Sequence, residues 1–150
     1  MTRAYLDHAS TAPLRPAAFA AMEPLLSSTF GDPGRLHAEG RATRVALENA
    51  REQVATFFGA RPREVVFTSS GTEAINAALW SASGHIVTTA VEHSAVRDAL
   101  ARAGGEVTVV GVDRSGRFAA DEVIAAVRAD TTMVSIQLAN HEVGTVQPVT

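Results

Sequence analysis

Apolar residues recur along this chain with two periods, and the alternation between them outlines the fold. From Pro16, Phe19, Met22, Leu25 and Leu26 mark one face of a helix ending near Leu26, and Pro16 suits its first turn. Gly31-Asp32-Pro33-Gly34 is turn chemistry and interrupts regular structure. A longer helix is expected over about 41–58, with Leu47, Ala50, Val54 and Phe57 on one face and Gly59 placed to end it. Glu64–Thr68 then reads as a short buried strand, because Val65, Val66 and Phe67 are β-branched or aromatic. It runs into Ser69-Ser70-Gly71 and a helix opening at Thr72, with Ala74, Ile75, Ala78 and Leu79 at helical spacing. Strand and helix then alternate: strand 86–90, helix 94–103, strand 107–110, a turn at 113–116, a helix capped by Asp121 and running through Arg128, and strand 132–138. Strands alternating with helices predict an α/β fold with a mainly parallel sheet and flanking helices.

In such sheets ligands sit beyond the carboxyl ends of the strands. Three polar clusters fall there: Ser69–Thr72, Glu92-His93 and Asn140–Glu142. The first has two physical readings. A strand that ends in a glycine turn at a helix start gathers free N–H groups and the positive end of the helix dipole, which suits a phosphate. Ser70-x-x-Glu73 is equally a capping box that closes the helix without any ligand. His93 fits an aromatic or proton-handling group over a ligand, and equally a solvated residue of a loop. Asn140 fits an amide bonding a ligand oxygen, and equally a local turn. Asp7-His8 reads as a loop rather than a catalytic pair, since adjacent side chains diverge in extended backbone.

Composition narrows the classes. The 150 residues are 46% hydrophobic and 19% charged, as in a globular domain, and the net charge of −3 comes with no basic stripe for nucleic acid or membrane. No long apolar run or signal pattern appears, so a cytoplasmic location is expected. The five histidines show no close ligand spacing, so no metal site is expected. Neither G-x-G-x-x-G nor G-x-S-x-G occurs. Cysteine is absent and all 13 basic residues are arginine, so no lysine amine or thiol is available within these residues.

Taken in order, several stretches resemble the cysteine desulfurases, pyridoxal-phosphate enzymes of the class V aminotransferase group. They are Tyr5-Leu6-Asp7-His8-Ala9, Phe30-Gly31-Asp32-Pro33 with His37, Phe67 to Glu73, Thr88 to His93, and Ala139 to Pro148. The Glu92-His93 and Asn140–Gly144 pieces are similar to the NifS/IscS-like branch. The resemblance implies part of the large domain of the aspartate-aminotransferase architecture. It implies that Gly71 and Thr72 hold the phosphate of pyridoxal 5'-phosphate, that His93 stacks on its ring and serves as the catalytic histidine, and that Asn140 bonds the phenolic oxygen. The implied reaction takes sulfur from L-cysteine, leaving L-alanine and an enzyme-bound persulfide for iron–sulfur cluster or thio-cofactor assembly. A sulfur-acceptor protein and a homodimer are implied with it. Another class V carbon–sulfur or selenocysteine lyase, or a non-catalytic scaffold, is the alternative.

The Schiff-base lysine, the aspartate that pairs with the pyridinium nitrogen and the cysteine nucleophile of that family have no counterpart here. Residues 1–150 are thus expected to be an N-terminal segment plus the first part of the large domain, inactive alone and completed by later chain or by a second polypeptide. In this architecture the first strand of the large domain sits at the sheet edge, away from the next three, which leaves backbone groups unpaired. Residues 1–150 alone are therefore expected to be marginal or misfolded. A cooperative thermal melt together with scattering from a well-packed monomer would overturn that expectation.

Overall fold

The computed structural model describes residues 3–149, which form two compact units, one up to Phe67 and one from Thr68. In the first, helix α1 (Pro16–Ser27) opens with Pro16, whose fixed φ and missing N–H cost nothing at a helix start. Its expected apolar stripe exists, but Phe19, Met22, Leu25 and Leu26 are all exposed among the described residues. Helix α2 (Ala38–Phe57) begins at His37 and ends in a Schellman motif: Gly59, at φ +63°, directs Ala60 N–H to Ala55 O at 2.8 Å and its own N–H to Thr56 O at 3.2 Å. Gly40 is obligatory in α2, because a Cβ there would lie 2.7 Å from the carbonyl oxygens of Asp32 and Arg35.

The expected strand over Glu64–Thr68 does not form. Glu64 belongs to a 3-10 turn, Pro62–Glu64, set by Pro62 at its first position, and Val65 beyond it is extended. No strand pairs with these residues among those described. Instead Arg51 of α2 donates to Val65 O at 2.5 Å and lies 5.0 Å from the ring centre of Phe67. Val66 is 79% exposed. β-branched residues favour extended backbone, but a strand needs a neighbour, and none of the described residues supplies one.

The second unit is an α/β layer. Helix α3 (Gly71–Trp80), strand β1 (His85–Thr89), helix α4 (Ser94–Arg102), strand β2 (Val107–Val110), helix α5 (Ala120–Ala126) and strand β3 (Thr131–Ser135) follow in order. The sheet is parallel in the order β2-β1-β3, with Ile86 opposite Val107 on one side and Met133 on the other. Side chains alternate across β1. Ile86 packs with Leu79, Ala82, Val96, Ala99 and Leu100 of the α3–α4 layer. Val87 packs with Val110, Phe118 and Val123 in a second cluster, on the α5 side.

Three boundaries, at both ends of α5 and the end of β3, differ from the sequence expectation. Asp121 does not cap α5; Ala119 holds that position without a side-chain bond, and Asp121 and Glu122 lie in the first turn, where they favour the helix dipole. The helix stops at Ala126 because Val127 turns extended, and Arg128 joins Glu106 at 2.7 and 2.8 Å and Asp130 at 3.0 Å. The last strand ends at Ser135 rather than Leu138. No helix among the described residues is long and apolar enough to cross a membrane.

At the amino end of the sheet, the buried imidazole of His85 joins all three strands. Its Nδ1 lies 2.7 Å from Thr131 Oγ1 and its Nε2 2.7 Å from Thr108 Oγ1. Replacing His85 by Ala in the full-length protein removes both links and opens a void. The expected loss is about 3 kcal/mol in chemical denaturation. A loss below about 1 kcal/mol, the net worth of a single hydrogen bond, would show that the links do not hold the sheet.

Candidate functional site

Because β1 and β3 are parallel neighbours, their exits lie side by side, and a cavity of about 290 Å³ opens there. Glu92, His93 and Arg97 line it from the β1–α4 side; Gln137, Asn140 and His141 line it from the segment after β3. His93 is the N-cap of α4: its Nδ1 accepts from Ala95 N–H at 3.1 Å. A nitrogen that accepts carries no proton, so the neutral ring bears its hydrogen on Nε2. The ring centre of His141 lies 6.1 Å from that of His93, with the planes tilted by 40°.

Asn140 begins a small hairpin. Its Oδ1 accepts from the N–H groups of Glu142 at 2.8 Å and Val143 at 3.1 Å, and its Nδ2 donates to Val91 O at 3.2 Å. One Nδ2 hydrogen remains uncommitted among the described residues. An isolated antiparallel bridge, Ala139 with Val146, closes the hairpin. The buried amide of Gln147 fastens it to the loop after β2, accepting from Phe118 N–H at 3.3 Å and donating to Gly116 O at 2.7 Å. Thr145 Oγ1 donates to Ser115 O beside it. That second loop is itself wound around Asp113. Its carboxylate accepts from the Ser115 hydroxyl and from the N–H groups of Ser115 and Arg117, and these bonds hold it below the usual carboxylate range.

The start of α3 satisfies part of both readings of Ser69–Glu73. Ser70 Oγ accepts from Glu73 N–H at 3.2 Å, and Glu73 Oε2 accepts from Ser69 N–H at 2.6 Å and Ser69 Oγ at 2.5 Å. The back-bond therefore reaches Ser69 rather than the N-cap itself, and it lowers the Glu73 carboxyl below its ordinary value. The cap uses only the third helical N–H. No protein group among those described accepts from the N–H of Gly71 or Thr72. A Cβ at Gly71 would meet nothing within 4 Å, so the approach is open. α3 enters β1 through the short loop 81–84, which puts its C-terminus at the amino end of the sheet. Its N-terminus consequently faces the carboxyl side, although Gly71 and Thr72 do not line the cavity. The structure thus gathers His93 and Asn140 around one space and leaves two unsatisfied donors at the α3 start.

Gln137 and Gln147 are the site residues that sequence reading missed. The available signal was polar amides interspersed among the apolar residues of Met133–Val149. Their partners, 45 and about 30 residues earlier, were not legible.

Residues 4–150 match the Aminotransferase class-V family. Curated relatives include the cysteine desulfurase IscS of Dictyoglomus turgidum, 44% identical over 97% of this chain and 39% of that protein. The putative cysteine desulfurase IscS 1 of Bacillus subtilis is 41% identical over 99% of this chain and 42% of its own length. The cysteine desulfurase of Homo sapiens is 40% identical over 97% and 34%. Among solved structures, a NifS-like protein superposes with a TM-score of 0.90 at 34% identity, covering 99% of this chain and 43% of that one. SspA in complex with cysteine superposes at 0.88 and 33% identity, covering 96% and 44%. The chain thus spans between 34% and 42% of the length of these curated relatives. With a matching family over nearly every residue and the fold of the NifS-like protein, the chain belongs to the class-V aminotransferases.

Proposed function

We propose that this chain is the N-terminal part of a pyridoxal-phosphate-dependent cysteine desulfurase, which takes sulfur from L-cysteine to give L-alanine and an enzyme-bound persulfide. The observation that carries this reading is the pair of unsatisfied N–H groups at the α3 start, Gly71 and Thr72, in a chain whose relatives are cysteine desulfurases. The donor set suits the cofactor's phosphate: two backbone N–H groups at the positive end of a helix, the Thr72 hydroxyl beside them, and no side chain at position 71 to obstruct an anion. When bound, the cofactor supplies the electron sink for cleavage next to the substrate's amino group.

The other assignments follow from the free valences of the cavity. His93, anchored by Nδ1, offers its ring face to the cofactor ring and its Nε2 hydrogen as a proton to donate. Asn140 offers its remaining Nδ2 hydrogen to the phenolic oxygen while the other holds Val91 O. The amine that anchors the cofactor and the thiol that receives the sulfur cannot come from these residues, which contain neither lysine nor cysteine. The activity therefore belongs to the longer protein or to a complex with a second polypeptide. A sulfur-acceptor protein and a homodimer are part of the same reading.

The test is turnover by the full-length protein. Loaded with pyridoxal phosphate and given L-cysteine, it is expected to release alanine and sulfide under reduction. Thr72→Val removes one donor to a charged group and is expected to weaken cofactor affinity by about tenfold or more in apoprotein titration. Absence of alanine from a cofactor-loaded protein would refute the desulfurase reading. Strong preference for L-selenocysteine in competition would move it to the selenocysteine lyases.

A further inference from the structure

A hydrogen-bonded clamp joins the exits of β1 and β3, and the cofactor contacts proposed above leave its carboxylate, Glu92, without a role. Glu92 is only 5% exposed, and no cationic side chain pairs with it among the described residues. Its Oε1 accepts two bonds, from Thr89 Oγ1 at 2.8 Å and from Gln137 N–H at 2.8 Å. Thr89 closes β1 and is itself buried; Gln137 follows β3, 45 residues further along the chain. The carbonyl of Val91, one residue before Glu92, accepts from Gln137 Nε2 and from Asn140 Nδ2. Three of these four bonds cross from residues 89–92 to residues 137–140. His93 follows Glu92 directly, and Asn140 lies three residues beyond Gln137. The two groups that face the cavity from distant parts of the chain are thus held relative to one another by one buried carboxylate and one carbonyl.

Resting on the function proposed above, we propose that Glu92 is a positioning residue: its buried carboxylate ties the turn after β1 to the segment after β3 and so sets His93 and Asn140 against one another across the cavity. Burying a carboxylate costs free energy unless hydrogen bonds replace its hydration, and here one local donor, Thr89, and one crossing donor, Gln137, are both spent on a single oxygen. Since among the described residues no buried side-chain oxygen is left without a partner, Oε2 keeps access to solvent, and Glu92 lines the cavity. A glutamine at this position can therefore keep its carbonyl in the clamp while its NH2 group remains solvated. Small shifts of groups that hold a reacting molecule are costly, so loosening the clamp acts on ligand geometry before it acts on the fold.

The experiment uses the full-length protein and compares Glu92→Ala with Glu92→Gln. Three readouts apply: apoprotein affinity for pyridoxal phosphate, visible circular dichroism of the bound cofactor, and amide hydrogen exchange at Gln137 against Ile86 and Val87. For Glu92→Ala, cofactor affinity is expected to fall about tenfold and the dichroic band to change, as loss of bonds to a charged acceptor allows. Protection at Gln137 falls by a similar factor, while Ile86 and Val87 keep theirs. Glu92→Gln stays within about threefold of wild type on each readout, because it retains an acceptor oxygen of the same reach. The proposal is overturned if Glu92→Ala leaves affinity and Gln137 protection unchanged, or if Glu92→Gln is as damaging as Glu92→Ala. Should Glu92→Ala fail to fold, Thr89→Val removes one of the two donors at nearly constant shape; it must lower Gln137 protection, and unchanged protection overturns the clamp. If wild-type protein takes up no pyridoxal phosphate, the proposed function fails, and the exchange measurement still decides whether Glu92 holds the two segments.

Discussion

The second unit depends on five residues of β1, every one of them buried. Strand pairing on both edges and packing on both faces leave β1 no freedom of register. Shifting it by one residue would turn Ile86 away from the α3–α4 layer and Val87 away from the α5 cluster. Parallel pairing with β2 and β3 then puts the loops that follow all three strands on the same edge. The location of the candidate site is a consequence of that pairing. His93 and Asn140 meet because β1 and β3 are neighbours and run the same way.

The two edges of the sheet are closed by different means. At the amino end, His85 stands between Thr108 and Thr131, and Arg128 gathers Glu106 and Asp130 outside it. Those groups bond one another across the three strands. At the carboxyl end the valences are incompletely used. Gly71 and Thr72 retain their N–H groups, Asn140 retains one amide hydrogen, and Glu92 retains one oxygen. The bonds that tie the strands together at one rim are thus distinct from the donors left open at the other.

Much of this was legible in the sequence, for reasons that differ by element. The long helix α2 and its end at Gly59 were readable because periodicity and a single glycine are local signals. β1, β2 and α4 were readable to within a residue, since their apolar runs are bounded by Gly84, Gly104 and Gly105. Glu64–Thr68 reads as a strand in the sequence but forms none, because residue preference fixes backbone conformation and not the existence of a partner. α5 ended early for a similar reason: Arg128 was taken by Glu106, 22 residues away. In the site, His93 and Asn140 stood out by chemistry and by position after strands. The clamp that spaces them did not, since the bonds from Gln137 to Glu92 and Val91 span about 45 residues and leave no periodic trace.

Position 71 carries a separate consequence. Gly71 is not among the glycines with positive φ, and a methyl group there would touch nothing within 4 Å. The chain's own packing therefore makes no demand for glycine at that place, in contrast to Gly40, whose hydrogen is wedged between two carbonyls. The folded chain itself requires Gly40, whereas its packing leaves position 71 open to a side chain. A sequence drifting under selection for the fold alone would accept other residues at 71 long before it accepted them at 40.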